Sequence, residues 1–300
     1  MCGIAALQIK DPALRDRLGE LLQGMLCEVV DRGPDSAGIS VYDDEGLTAS
    51  GSATVTLLDA GDDDEGLHAA VAALLPAGTA VAVRTMGDTT LVNADAPVDR
   101  LVAALRTAAP AARQIGRGSH VATLKGVGDP VSLAEEFGLA SRSGSQGVAH
   151  TRMATESAVT ASGSHPFTVD DDLCLVHNGS FSNHASIRRG LRAQGVGFDS
   201  DNDSEVAARY LAVRLRAGDD LETALGRLQD DFDGFYTLVV TTRDGLAVVR
   251  DPIACKPAVV AETGQWVAMA SEYRALAGLP GVEDAHIFEP APGKVYTWTL

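Results

Sequence analysis

The chain has 300 residues, 45% hydrophobic and 22% charged, which suits one large globular domain or two modest ones. A net charge of -17 argues against a nucleic-acid or anionic-membrane partner, because phosphate binding needs clustered Lys and Arg. There is no long apolar span, no charged leader ahead of an apolar one, and no metal-type spacing among the four cysteines, so the expectation is a cytoplasmic protein with reduced thiols.

The chain opens Met1-Cys2-Gly3-Ile4. Removal of Met1 ahead of a residue as small as Cys2 leaves a thiol and an α-amine on one residue. Their reference pKa values, ~8.5 and ~7.7–8.0, let each trade a proton with the other near neutral pH. A nucleophile that supplies its own base from the chain terminus is one variant of the nucleophile–base pair. Taken alone, Cys2 reads more plainly as a buried cysteine opening a strand.

Residues 2–9 predict a buried strand. Asp11-Pro12 opens a helix whose Leu14, Leu18, Leu21, Leu22, Met25, Leu26 and Val29 share one face, with Cys27 among its packing residues. Gly33 and Pro34 stop it. A strand over 36–42, a hairpin turn at 43–46 and a second strand over 47–58 follow. Residues 60–145 alternate short helices and strands and carry no catalytic constellation. They predict an inserted α+β subdomain with a structural or docking role, joined back through the flexible 141–145 stretch. His68 and His120 within it read as surface or packing residues.

Residues 147–155 predict a strand running into a loop, and 173–180 a second buried strand ending in a turn. Ser182 N-caps a helix through Leu191. Residues 201–205 precede a helix with Val206, Tyr210, Val213 and Leu215 on its apolar side, and Asp219 opens another. Strands are predicted over 235–242, 246–250, 257–261, 266–271 and 294–300. Strands, paired helices, then strands again suggest two sheets covered by helices.

Seven short motifs then stand in one order: Cys2-Gly3-Ile4, Arg32-Gly33-Pro34-Asp35-Ser36-Ala37-Gly38, His150-Thr151-Arg152, His177-Asn178-Gly179, Asp203-Ser204-Glu205, the stretch from Asp251 to Pro257, and Ala270-Ser271-Glu272. Together they resemble a class II glutamine amidotransferase domain, over residues 2–50 and 146–300. The resemblance implies an α+β, four-layer αββα N-terminal-nucleophile hydrolase fold, with two stacked antiparallel sheets and the inserted subdomain at 60–145.

It also implies roles. Cys2 attacks the side-chain amide of L-glutamine, forms a γ-glutamyl thioester and releases ammonia, with its α-amine moving the proton. The Asn178 amide and the Gly179 N–H receive the oxyanion; an Asn-Gly hairpin turn is the plain reading of that pair. Arg152 grips the α-carboxylate with a planar fork, Thr155 adds a hydroxyl, and Asp203 takes the α-ammonium, although Asp203 also reads as a helix N-cap. Arg32 orients the nucleophile; a salt bridge to Asp35 is its plain alternative. His150 and His177 read as packing residues behind the site, since the α-amine already serves as base. Met153, residues 156–158 and Ala254-Cys255 depart from the usual family pattern and shape the pocket.

No phosphate loop or nucleotide fingerprint appears, so neither cofactor nor metal is expected in this chain. The resemblance points to a stand-alone glutaminase subunit that passes ammonia to a separate synthase. Its size and insertion resemble the amidotransferase subunit of glutamate synthase-like or N-methylglutamate synthase complexes, whose other chains bind FMN and iron–sulfur clusters. A γ-glutamyl hydrolase of the same fold and a non-catalytic regulatory subunit are the alternatives.

Overall fold

Strand β1 (Gly3–Ile9) is buried along its whole length. Its alternation assigns two faces: Ile4 and Ala6 enter one apolar cluster, Ala5, Leu7 and Ile9 another. A strand apolar on both faces lies between two covering layers. The computed structural model describes residues 2–48, 51–153 and 159–300.

After β1 the chain forms α1 (Leu18–Cys27), β2 (Ser36–Tyr42), β3 (Ala53–Leu58), α2 (Asp64–Leu74), β4 (Val81–Met86) and β5 (Thr89–Ala94). Then come α3 (Val98–Ala108), β6 (Arg113–Gly118), β7 (Val121–Val127), α4 (Pro130–Glu136), β8 (Gln146–Arg152), β9 (Phe167–Asp170) and β10 (Leu173–Phe181). Helices α5 (His184–Ala193), α6 (Asp203–Arg216) and α7 (Leu221–Asp231) follow. Strands β11 (Gly234–Thr242), β12 (Gly245–Arg250), β13 (Val259–Glu262), β14 (Trp266–Ala270), β15 (His286–Phe288) and β16 (Val295–Thr299) close the chain.

A seven-stranded sheet has the order β15-β13-β14-β1-β8-β2-β7, and a five-stranded sheet the order β16-β12-β11-β10-β9. Their ladders are antiparallel. Ile4, Ala6 and Val148 of the first sheet meet Val176, Val239 and Val248 of the second in one shared core. Helices α1 and α4 cover the outer face of the first through Leu18, Leu22 and Leu133. Helices α5 to α7 cover the second through Leu191, Leu211 and Leu225. This is the four-layer αββα arrangement expected. A separate four-stranded sheet, β4-β5-β3-β6, buries Val55 and Val92 against Val71 of α2 and Leu101 of α3.

This separate sheet does not coincide with the 60–145 span expected for an inserted subdomain. It begins at Ala53 and ends at Gly118, whereas β7 pairs with β2 over seven residues in the main sheet. The reason is burial. Leu124 faces the α1/α4 core and Val121 the inter-sheet core, so β7 is a central-layer strand. The expected strand over 47–58 starts only at Ala53; Thr48 closes a turn on the Asp44 carbonyl instead. Cys27 is exposed, one position off the buried stripe of α1. Asn183, not Ser182, precedes α5.

Candidate active site

The ladder between β1 and β8 sets Gly3 opposite Thr151. One step outward, the same register sets Cys2 beside Arg152 where both strands end. Cys2 is half-buried with a free thiol, and its Sγ lies 3.9 Å from the Met153 carbonyl oxygen. The Cys2 carbonyl accepts two hydrogen bonds, from Arg32 Nε and from Asn178 Nδ2, both at 3.0 Å. Arg32 is itself held by Glu272 at 2.8 Å, the carboxylate that takes the place of the Asp35 alternative. Ser271 Oγ accepts from Ile4 N at 2.9 Å and from Asn178 Nδ2 at 3.3 Å. The backbone of Cys2 and Ile4 is therefore pinned from three elements distant in sequence.

Two glycines are needed for close approach. A Cβ on Gly33 would stand 2.6 Å from the Arg152 backbone, so only glycine lets the loop after α1 ride over the end of β8. Gly179 has φ 151°, and a Cβ there would stand 2.7 Å from the Tyr236 Cα. Tyr236, opposite Gly179, gives both its N–H and its carbonyl to Asp251. In an antiparallel ladder Gly179 then turns its own N–H away from β11, toward the open edge of β10. Two residues on, the Phe181 N–H leaves the same edge and bonds Asp203 Oδ2 at 2.9 Å.

Asp203 is not the cap of α6. Asn202 is, with its side chain accepting from Ser204 N at 2.8 Å, and this leaves the Asp203 carboxylate to face β10. A cavity of about 880 Å³ is lined by Cys2, Arg152, Gly179 and Asp203, together with His165 and His177. Arg32 and Asn178 sit behind Cys2, gripping its carbonyl. Thr155 lies outside the described residues.

Three buried histidines back the site. Burial pushes His150 down to about 3 and His177 to about 4, the latter against the opposing pull of Asp203. Burial also drives His165 well below its usual value. Ser204 Oγ lies 2.8 Å from His177 Nδ1 and 2.9 Å from His165 Nε2. In all three, burial favours the neutral imidazole.

Sequence reasoning gave no role to Ser271, Glu272, Glu205 or Arg188. Glu205, 2% exposed, accepts from the backbone of Asp199 and Ser200. Arg188 donates to the carbonyls of Ser200 and Asn202. Together they brace the loop that carries Asp203. Glu205, Ser271 and Glu272 belonged to matched motifs, and that was the available signal. Among the described residues, no group of three His, Cys, Asp or Glu side chains could hold a metal ion, and no helix is long and apolar enough to cross a membrane.

A family model described as a glutamine amidotransferase domain matches residues 150–278. Over 305 residues the chain is 47% identical to the "Glutamine amidotransferase-like protein GlxB" of Rhizobium meliloti (strain 1021), spanning 99% of this chain and 98% of that one. It is 28% identical to a "Putative glutamine amidotransferase" of Methanothermobacter thermautotrophicus, over 99% of both chains. A solved glutamine phosphoribosylpyrophosphate amidotransferase from B. subtilis shares the fold, with a TM-score of 0.61 at 18% identity. That alignment spans 99% of this chain and 47% of the other, so the chain covers about half the length of that solved enzyme. With the N-terminal-nucleophile fold and near full-length likeness together, the chain belongs to the class II glutamine amidotransferase family.

Proposed function

We propose that the protein is a glutaminase subunit that hydrolyses L-glutamine to glutamate and ammonia through a Cys2 γ-glutamyl thioester. The supporting observation is the setting of Cys2: its carbonyl is clamped by Arg32 and Asn178, and its thiol opens on the cavity shared with Arg152, Gly179 and Asp203. Once Met1 is removed, the α-amine takes the thiol proton. The sulfur attacks the amide carbon of glutamine, a C–S bond forms, and the carbonyl electron pair moves to oxygen. That oxyanion receives the Gly179 N–H and the Asn178 N–H now shared with Ser271 at 3.3 Å. The tetrahedral centre collapses, the α-ammonium protonates the departing nitrogen, and ammonia leaves. Water, deprotonated by the α-amine, then cleaves the thioester to glutamate. Arg152 and Asp203 hold the two charged ends of the amino acid.

The ammonia passes to a separate synthase subunit, with the FMN- and iron–sulfur-containing partners of glutamate synthase-like or N-methylglutamate synthase complexes as the class proposed. Cys2→Ala should abolish ammonia release while leaving the melting temperature unchanged, and native purification should recover the partner chains. A Cys2→Ala protein that still releases ammonia refutes the thioester route. The same residues would serve γ-glutamyl peptide hydrolysis, the second reading. Turnover of γ-glutamyl peptides but not glutamine would select it.

A further inference from the structure

The Asn178 side chain can face its neighbours in only one of its two orientations. The Cys2 carbonyl is purely an acceptor, and it stands 3.0 Å from the atom assigned as Nδ2. Flipping the amide would press two oxygens together. The amide oxygen therefore faces His150, whose Nε2 lies 3.1 Å away. An amide oxygen only accepts, so the proton of the neutral ring must sit on Nε2. His150 Nδ1 has no hydrogen-bond partner among the described residues, which agrees with a lone pair there. The ring is fully buried, packs 4.3 Å from His165, and is held neutral with its pKa pushed down to about 3. It does not titrate in the range where glutamine would be turned over, so a role as base is closed to it.

We infer that His150 is a positioning residue, whose Nε2–H holds the Asn178 carboxamide with its nitrogen toward Cys2 and the reacting carbonyl. The inference rests on the glutaminase reading above and assigns a device within that site. Without this donor, the buried amide oxygen loses its partner and rotates to find another. The oxyanion would then meet an oxygen or an empty direction. Ser271 adds the second constraint, since its Oγ accepts from both Asn178 and Ile4.

The test compares His150→Phe, His150→Gln and His150→Asn in the full-length, Met1-free protein. A glutamine amide nitrogen overlays Nε2 of histidine and keeps the donor; an asparagine nitrogen overlays Nδ1 and does not reach. The expectation is that Phe and Asn lower kcat by about 10²-fold, the scale of one lost oxyanion donor, with KM for glutamine little changed. Gln should recover most of the rate. Alkylation of Cys2 by iodoacetamide forms no tetrahedral oxyanion and should run at the wild-type rate in all three. Equal kcat for the Gln and Asn variants overturns the inference, as does a wild-type kcat for Phe. Should Phe also lose alkylation through a collapsed site, the Gln–Asn contrast still decides. A wild-type protein that releases no ammonia from glutamine would instead sink the glutaminase reading beneath it.

Discussion

Glu205→Gln is the substitution whose consequence follows most directly from the geometry. The Glu205 carboxylate is 2% exposed and closes the loop before α6. Oε1 accepts from Asp199 N at 2.9 Å and from Arg209 at 3.3 Å; Oε2 accepts from Ser200 N at 2.8 Å and Ser200 Oγ at 2.7 Å. Gln keeps the shape but turns one oxygen into a donor. Facing Oε1, the new amide meets the Asp199 N–H and the arginine. Facing Oε2, it meets the Ser200 N–H, while the hydroxyl can rotate to accept. The second is cheaper and leaves one buried backbone N–H unsatisfied, costing about 1–3 kcal/mol. Weakening the charge-assisted contact to Arg209 adds roughly 1 kcal/mol, limited because Arg209 keeps Asp199 at 2.6 Å. The total, about 2–4 kcal/mol, lowers Tm by about 3–6 °C in a chain of this size. Ser200 to Ser204 line the cavity, so KM for glutamine should rise with kcat nearly kept. Thermal unfolding and steady-state ammonia release measure both. An unchanged Tm refutes the brace; a lowered Tm with unchanged KM refutes its link to the amino-acid subsite.

Asn178→Ala should lower kcat by about 10²–10³-fold; a much smaller loss would make Asn178 a turn residue. Arg152→Lys should mainly raise KM, because a point charge replaces a planar fork; an unchanged KM removes Arg152 from the site. Lys125 is 1% exposed, sits 4.6 Å from the Phe167 ring centroid, and burial pushes it from 10.5 to about 7. Between those values the unfolded chain holds a proton that the folded chain lacks, so stability should rise with pH across the window. The rise is up to about 5 kcal/mol. Lys125→Met should therefore flatten that dependence and stabilise most below pH 7. Chemical denaturation at pH 6, 8 and 10 checks this, and equal slopes for the two proteins would refute it.

Local patterning in the sequence determined a large part of this protein. The period-two alternation of residues 3–9 sets both faces of β1, and the apolar stripe from Leu18 to Leu26 sets the buried side of α1. Cys2, Arg152, Asn178, Gly179 and Asp203 stood out as short motifs, and the fold brings Cys2, Arg152, Gly179 and Asp203 to one cavity. Their partners were not legible. Arg32 takes Glu272, 240 residues away, over the nearby Asp35, and His150 and Ser271 earn their roles only by touching Asn178. Likewise β7 reads as part of the insertion until its pairing with β2 is seen. Periodicity and caps arise from neighbours along the chain, whereas strand pairing and amide orientation arise from neighbours across it. Which distant strand supplies the second ladder, and which buried donor meets an amide oxygen, depend on how the two sheets stack, and only the tertiary structure decided those.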